Sequence, residues 1–327
     1  MIAFVLRRLL QSVVVMFVVG FIAFALFNFV GDPVALMLPP EATGADREAM
    51  RAMLGLDRPF YAQFATFLAN AMHGNFGISL RLGRPVSDLI VERLPATLEL
   101  AFTSALIGLA LGIPLGVYTA LRRDSWVSRM LLTMSLVGVS LPNFLIGIFL
   151  ILIFAVWLGW LPSFGRGDVV HLGPWSTGFL TVSGLKALIL PSITLGFYPI
   201  TIVMRLVRSE MLEVLRTDYV KFARARGLTD RSIHFRHALK NTMVPVITIV
   251  GLQLGGIIAF AIVTETVFQW PGMGLLFIQA VQFADIPIMA AYLCLVGFIF
   301  VAINLVVDLL YFVVDPRLRV ERPAGAH

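Results

Sequence analysis

Six stretches of mostly apolar residues set the terms for this chain: Leu9–Val30, Leu98–Leu121, Met130–Leu158, Ala187–Val207, Met243–Phe268 and Met289–Val314. Each reaches the roughly 20 residues a helix needs to cross a hydrocarbon layer. In that solvent the backbone must satisfy its own hydrogen bonds, so apolar runs of this length dictate helices. Charged residues make up 13% of the 327, about half the roughly 25% of a soluble domain. The predicted fold is an all-α membrane protein with six transmembrane helices. The third run is long enough to tilt or to include an interfacial turn. The first exceeds the roughly 7–15 apolar residues of a signal peptide, so it reads as a retained span.

Basic residues orient the spans. Seventeen of the 25 Lys and Arg lie on one set of segments: the N-terminus (Arg7, Arg8), the stretch Arg122–Arg129, the stretch Arg205–Lys240, and the tail (Arg317, Arg319, Arg322). Positive residues favour the cytoplasmic side, so both termini are expected there. The basic balance sits on short segments between spans, which argues against a nucleic-acid partner. The chain divides into 1–97, a first span plus an external helical cap; 98–314, a five-span core with a cytoplasmic loop at 208–242; and a tail, 315–327.

Within the cap, Asp46–Leu54 reads as a short helix closed by Gly55. Pro59–Met72 reads as a second, with Phe60, Phe64, Phe67 and Leu68 at helical spacing. Val86–Leu94 reads as a third, short helix leading to Pro95. In the second external segment, Trp160 and Trp175 suit a membrane–water interface. The spans carry Pro114, Pro142, Pro191, Pro199 and Pro245, interleaved with Gly108, Gly112, Gly116, Gly255 and Gly256. Small residues let membrane helices approach closely and prolines bend them.

Several chemistries are excluded. None of the three lysines (Lys186, Lys221, Lys240) follows a glycine, so no Gly-Lys phosphate loop is present. There is no HExxH and no Gly-x-Ser-x-Gly elbow. His234 and His237 are three apart, but no third metal ligand lies near them. The single cysteine, Cys294, cannot form an intrachain disulfide. Glu99, Glu265 and Asp308 are the acids at span ends. Dispersed and without basic partners in the sequence, they make a poor proton relay. A stand-alone ion-driven carrier or channel is thus disfavoured, and an intramembrane enzyme lacks a nucleophile–base arrangement.

The loop Asp218–Pro245, DYVKFARARGLTDRSIHFRHALKNTMVP, has order beyond its charge. Thr217 or Asp218 can cap a short helix. Tyr219, Phe222 and Ala223 share one face, and Lys221 and Arg224 the other. Gly227 can stop the helix in a left-handed turn. Thr229 can cap a second helix through Ile233 and Ala238 to Asn241. Two short helices at an angle, with Ala223, Ala225 and Gly227 at the bend, predict close packing by something external.

This loop resembles the cytoplasmic signature of bacterial ABC-transporter permeases, in the variant of the dipeptide/oligopeptide/nickel family. GNFGISL…RPVSDLIVERLPATLELA, GVSLPNFLIGI, LPSITLGFYPITIVMRLVRSEMLEVL, ETVFQWPGMGLL and NLVVDLLYFVVDPRLR match in order, so the resemblance spans nearly the whole chain. The general motif begins Glu-Ala-Ala; here Lys221-Phe222-Ala223 stands there, Gly227 keeps its place, and the proline comes late as Pro245. The resemblance implies a type I importer-like permease of the bacterial inner membrane, the first of a pair. It would work with a second related permease, one or two ATP-binding cassette ATPases that carry ATP and Mg, and a periplasmic or lipid-anchored substrate-binding protein. The cargo would be peptides, or alternatively glutathione or nickel chelates. It further implies a coupling site at Tyr219, Phe222, Ala223, Arg224, Ala225, Arg226, Gly227, His237 and Asn241, with Tyr219 and Phe222 seating the helix. Glu265, Phe268 and Trp270 are expected to close the outer mouth.

Overall fold

A computed structural model describes residues 2–29, 34, 43–53 and 56–314. The expected tail 315–327, with Arg317, Arg319 and Arg322, lies outside the described residues, as do Leu54 and Gly55. The helices are α1 (Ile2–Phe29), α2 (Gly44–Met53), α3 (Phe60–Met72), α4 (Val86–Leu121), α5 (Trp126–Ser140), α6 (Asn143–Leu150, continued by π-helical turns at Ile151–Trp157), α7 (Val182–Val214), α8 (Asp218–Ala225), α9 (Leu239–Val267, preceded by π-helical turns at Ser232–Ala238), α10 (Met273–Gln282) and α11 (Ile286–Val314). Strands β1 (Val170–Leu172) and β2 (Trp175–Thr177) form a small antiparallel hairpin between α6 and α7. Among the described residues five helices are long and apolar enough to cross a membrane, and a bent pair makes a sixth span. Phe102, Leu106, Val13 and Phe17 are among many large apolar side chains left exposed, as lipid-facing helices require.

The fold is built around α4 and α7. Three α4 glycines one turn apart face α7 at a constant offset, so the two helices run parallel. A Cβ on Gly108 would stand 2.9 Å from Pro199 Cβ; on Gly112, 2.8 Å from Val203 Cβ; on Gly116, 2.6 Å from Val207 Cβ. Lipid provides no hydrophobic drive between helices, so close van der Waals contact must hold them. At 36 and 33 residues, these helices are about 54 and 50 Å long at 1.5 Å per residue. Both overrun a hydrocarbon layer of roughly 30 Å. Ala96, Leu100, Ala101 and Ala105 of α4, Leu188 and Leu195 of α7, and Ile257, Ile258 and Ala261 of α9 fill the core beside the seam. The first span, α1, packs on α11. The rings of its Phe17, Phe21 and Phe24 meet Phe60, Phe64 and Phe67 of α3, the residues whose helical spacing predicts that helix.

Several expectations change. Val86–Leu94 is not a separate helix: α4 runs through Pro95 without a break. One missing N–H is tolerated because Pro95 is buried among neighbouring helices that fix the chain. The third run is not a single rod. It breaks at Leu141–Pro142 with a bend of 113°, where the residue before proline is pushed out of the helical region. The segment Gln269–Ile288, expected as a simple external connection, contains the apolar helix α10. The second helix of the basic loop is not free-standing; it continues directly into α9.

The seam yields a paired test. Gly112→Leu forces α4 off α7 and is expected to abolish accumulation of the folded chain in membranes. Gly256→Ala is expected to be tolerated, since the nearest atom, Gln253 Oε1, is 3.8 Å from the new methyl. Membrane immunoblots of both variants check this, and normal levels of the Gly112 variant would contradict the seam.

Candidate functional site

The basic loop begins where α7 ends. Thr217 has the extended backbone of an N-cap, but its hydroxyl donates to the Val214 carbonyl at 2.6 Å and makes no capping bond. Eight residues of helix follow, and then a left-handed stop. Gly227 has φ +77°. Its N–H donates to Arg224 O at 2.9 Å, and the Leu228 N–H reaches back to Ala223 O at 3.3 Å. These paired bonds make a Schellman motif, whose left-handed residue is most easily glycine. No atom lies within 4 Å of a Cβ placed on Gly227, so the position is selected by backbone conformation, not by crowding. Thr229 then receives the Ser232 N–H at 3.4 Å, as expected of a cap.

What seats α8 differs from the expectation. Val220 and Ala223 are the buried residues, clustered with Ile233 and Leu215. Phe222 is 63% exposed, and its ring lies 5.6 Å from the Arg226 guanidinium. The amphipathic stripe is therefore rotated by one residue from the one read in the sequence. Tyr219 contributes through its hydroxyl instead: it donates to the His237 carbonyl at 3.3 Å and accepts from Asn241 Nδ2 at 2.9 Å. That brings Tyr219, His237 and Asn241 together across the bend. Arg224, Ala225, Arg226 and Gly227 stand exposed beside Phe222, Leu228 and Phe235. Phe235 was not singled out from the sequence. The result is a packed bend presenting aromatic, apolar and basic groups outward.

At the opposite ends of the spans, three buried acids each hold a loop. Glu265 is fully buried. Thr97 Oγ1 donates to Glu265 Oε1 at 2.6 Å, and the Leu275 N–H donates to Oε2 at 3.0 Å. The Met273 N–H donates to the same Thr97 hydroxyl at 2.8 Å. The carboxylate thus sits at the first turn of α10, where helix N–H groups favour an anion. A side chain on Gly272 would collide with it, and one on Gly274 would collide with the Ile262 backbone. Trp270 is buried and donates from Nε1 to the Ala96 carbonyl at 2.9 Å. Phe268 is buried too, and its carbonyl accepts from the Gly165 N–H at 2.9 Å. Glu265, Phe268 and Trp270 accordingly form a buried joint that ties α9 and α10 to α4.

Glu99 and Asp308 are not without basic partners, contrary to the sequence reading. Arg166 donates from Nη2 to Glu99 Oε2 at 2.6 Å, with the side chains 7% and 3% exposed. The same guanidinium reaches Ser176 Oγ at 2.9 Å and Ser176 O at 2.7 Å, and the Gly178 N–H reaches Glu99 Oε1 at 3.3 Å. The hairpin β1–β2 is thereby fixed to α4. Asp308 pairs with Arg8 at 3.1 Å. Asp285, also buried, accepts from the Ser79 hydroxyl and from the Leu80 and Arg81 N–H groups. Arg166 carried a signal that was passed over: it is one of two basic residues between α6 and the fourth span, on the set of segments poor in positive charge.

Comparison with known proteins gives the arrangement its context. Residues 112–320 match the model of the binding-protein-dependent transport system inner membrane component, and residues 1–101 match the model of the N-terminal part of such membrane components. The chain belongs to this family. It is 38% identical to the glutathione transport system permease protein GsiC of Shigella flexneri serotype 5b, covering 98% of this chain and 99% of the relative. It is 39% identical to the di/tripeptide transport system permease protein DppB of Pseudomonas aeruginosa, covering 98% and 100%. The solved structure of the MetNI methionine ABC transporter in inward-facing conformations shares the fold, with a TM-score of 0.54 at 18% identity, over 69% of this chain and 96% of the other. The protein is a permease subunit of a binding-protein-dependent ABC importer, a multi-pass protein of the inner membrane and not an enzyme. Family membership implies in general a partner permease, ATPases and a substrate-binding protein.

The hairpin anchor can be tested directly. Arg166→Leu leaves the Glu99 carboxylate buried and unpaired, and breaking such a pair from one side costs about 3–5 kcal/mol. The variant is expected to accumulate poorly or to unfold at lower temperature, and Glu99→Gln combined with Arg166→Leu is expected to recover part of the loss. A thermal-unfolding series on the purified transporter checks this; additive losses in the double variant would contradict the pairing.

Proposed function

We propose that this permease forms, with a second related permease, the path for peptides delivered by a periplasmic or lipid-anchored binding protein, and that its bend at residues 218–241 receives the stroke of an ATPase subunit. The bend faces the cytoplasm in this reading, which the positive-inside distribution of Lys and Arg supports. Near full-length similarity to a glutathione permease and a di/tripeptide permease supports peptide-like cargo. Both named cargoes consist of amino acids joined through amides.

The observation that carries the coupling reading is the left-handed stop at Gly227. It fixes the angle between α8 and the helix leading into α9, while Val220, Ala223 and Ile233 lock the two together. A push on the exposed groups Phe222, Arg224, Ala225 and Arg226 therefore moves α7 and α9 as one body. Hinge-free elements transmit rigid-body displacement because packed cores do not deform continuously. ATP and Mg would be bound by the ATPase partners, identical or different. At the external end, Glu265, Phe268 and Trp270 set the outer mouth in this reading by holding α10 in place.

The test is a pair of substitutions at Gly227. A β-branched residue is a genuine outlier at positive φ, whereas asparagine tolerates it. Gly227→Val is expected to abolish peptide uptake in vesicles and to leave ATP hydrolysis uncoupled from cargo, with insertion intact. Gly227→Asn is expected to retain most uptake. Full transport by the valine variant would overturn the coupling role.

A further inference from the structure

Between α5 and α7 lies an open groove of about 400 Å³ lined by Leu132, Ser135, Leu136, Arg205, Arg208, Ser209 and Leu212. Its two cations have no acid within ion-pair range among the described residues, and Arg208 Nε is buried with no hydrogen-bond partner. Arg208 as a whole is half-buried, and an acceptor supplied from outside the chain would offset the cost of burying its Nε. The groove's lining is otherwise mostly leucine. On α5 the face of Leu132 and Leu136 continues to the exposed Val139.

The depth of the groove can be placed from the packing. Lys186 and Arg205 are separated by about 28 Å of helix at 1.5 Å per residue, close to the hydrocarbon thickness of roughly 30 Å. A second charged pair lies at the same level. Asp308, bound to Arg8, follows Val307, which packs on Gly251 of α9. The adjacent α9 residues Val246 and Val250 pack with Val203 and Val207 of α7. Arg205 and Arg208 therefore stand at the rim of the hydrocarbon layer, on the side of the basic bend.

We propose that this groove binds the phosphate of an anionic phospholipid, with Arg205 and Arg208 on the phosphate and Leu132, Leu136 and Leu212 along an acyl chain. Arginine suits this role because its planar fork meets phosphate oxygens with two hydrogen bonds. The apolar wall selects an amphiphile over a fully hydrated ion. A lipid seated here clamps α5 to α7 just above the segment that leads into α8. This site is independent of the cargo assignment.

The test uses the assembled transporter, purified and titrated with phosphatidylglycerol, phosphatidylcholine or inorganic phosphate while its thermal unfolding midpoint is followed. Phosphatidylglycerol is expected to raise the midpoint saturably, phosphatidylcholine much less, and inorganic phosphate not at all. In Arg205→Gln/Arg208→Gln the half-saturating concentration of phosphatidylglycerol is expected to rise at least about tenfold, the scale of losing charge-assisted hydrogen bonds. Arg208→Lys should keep part of the effect. If the double variant does not assemble, Arg205→Gln alone, at an exposed position, carries the same expectation. Equal stabilisation by both lipids, or an unchanged titration in the variants, would overturn the site. Equal action of inorganic phosphate would make it a free-anion site, and displacement of lipid by short peptides would make it part of the cargo path; either result would refute the proposal.

Discussion

The close approach of α4 and α7 is the contact on which the rest of the molecule depends. In lipid, apolar side chains gain nothing by turning toward each other instead of toward acyl chains, so association has to come from packing itself. The row Gly108, Gly112, Gly116 brings one backbone against Pro199, Val203 and Val207 of the other. Because these two helices overrun the bilayer, their relative placement is carried to both faces. At one end they hold the hairpin β1–β2 and the joint around Trp270. At the other, α7 runs to within a few residues of α8 and so determines where the basic bend stands.

The two ends solve different problems. On the hairpin side, loops that would otherwise be loose are tied by buried acids: Glu99 to the hairpin, Glu265 to the start of α10, Asp285 to the turn at Ser79–Arg81. Each carboxylate is satisfied by backbone N–H groups, hydroxyls or a guanidinium, the condition under which burial of such a group is tolerated. On the basic side the bend is held by apolar contact and a backbone motif, with charge left facing outward. An elbow seated by apolar contact and a backbone motif fits the proposed role of a surface pushed without changing shape.

Much of this was legible in the sequence. Spans follow from apolar length, the helix α3 from its phenylalanine spacing, and the left-handed stop from Gly227. What was misread shares a physical cause. The break at Pro142, the continuity through Pro95 and the merging of the second loop helix into α9 depend on neighbouring helices, which decide whether a proline bends, breaks or is absorbed. Helical spacing puts Tyr219 and Phe222 on one face with Ala223, and the resemblance implies that they seat α8. Burial went instead to Val220 and Ala223, since an eight-residue helix lying against Ile233 and Leu215 can bury only its narrow face. The partner of Glu99 lies 67 residues away in an irregular loop, and no local pattern joins such residues; only its standing as the one arginine between α6 and α7 marks it.

The exposed elbow at residues 218–241 is proposed to meet an ATPase subunit. The one native cysteine, Cys294, is buried and can be replaced by serine, leaving a background for single exposed thiols. Ala225→Cys in that background, within the assembled transporter, is expected to cross-link to the ATPase subunit, with a yield that changes when ATP is bound. Trp160→Cys, on the hairpin side, is expected to give no such product. Cross-linking to the ATPase from Trp160→Cys, or its absence from Ala225→Cys, would contradict the account.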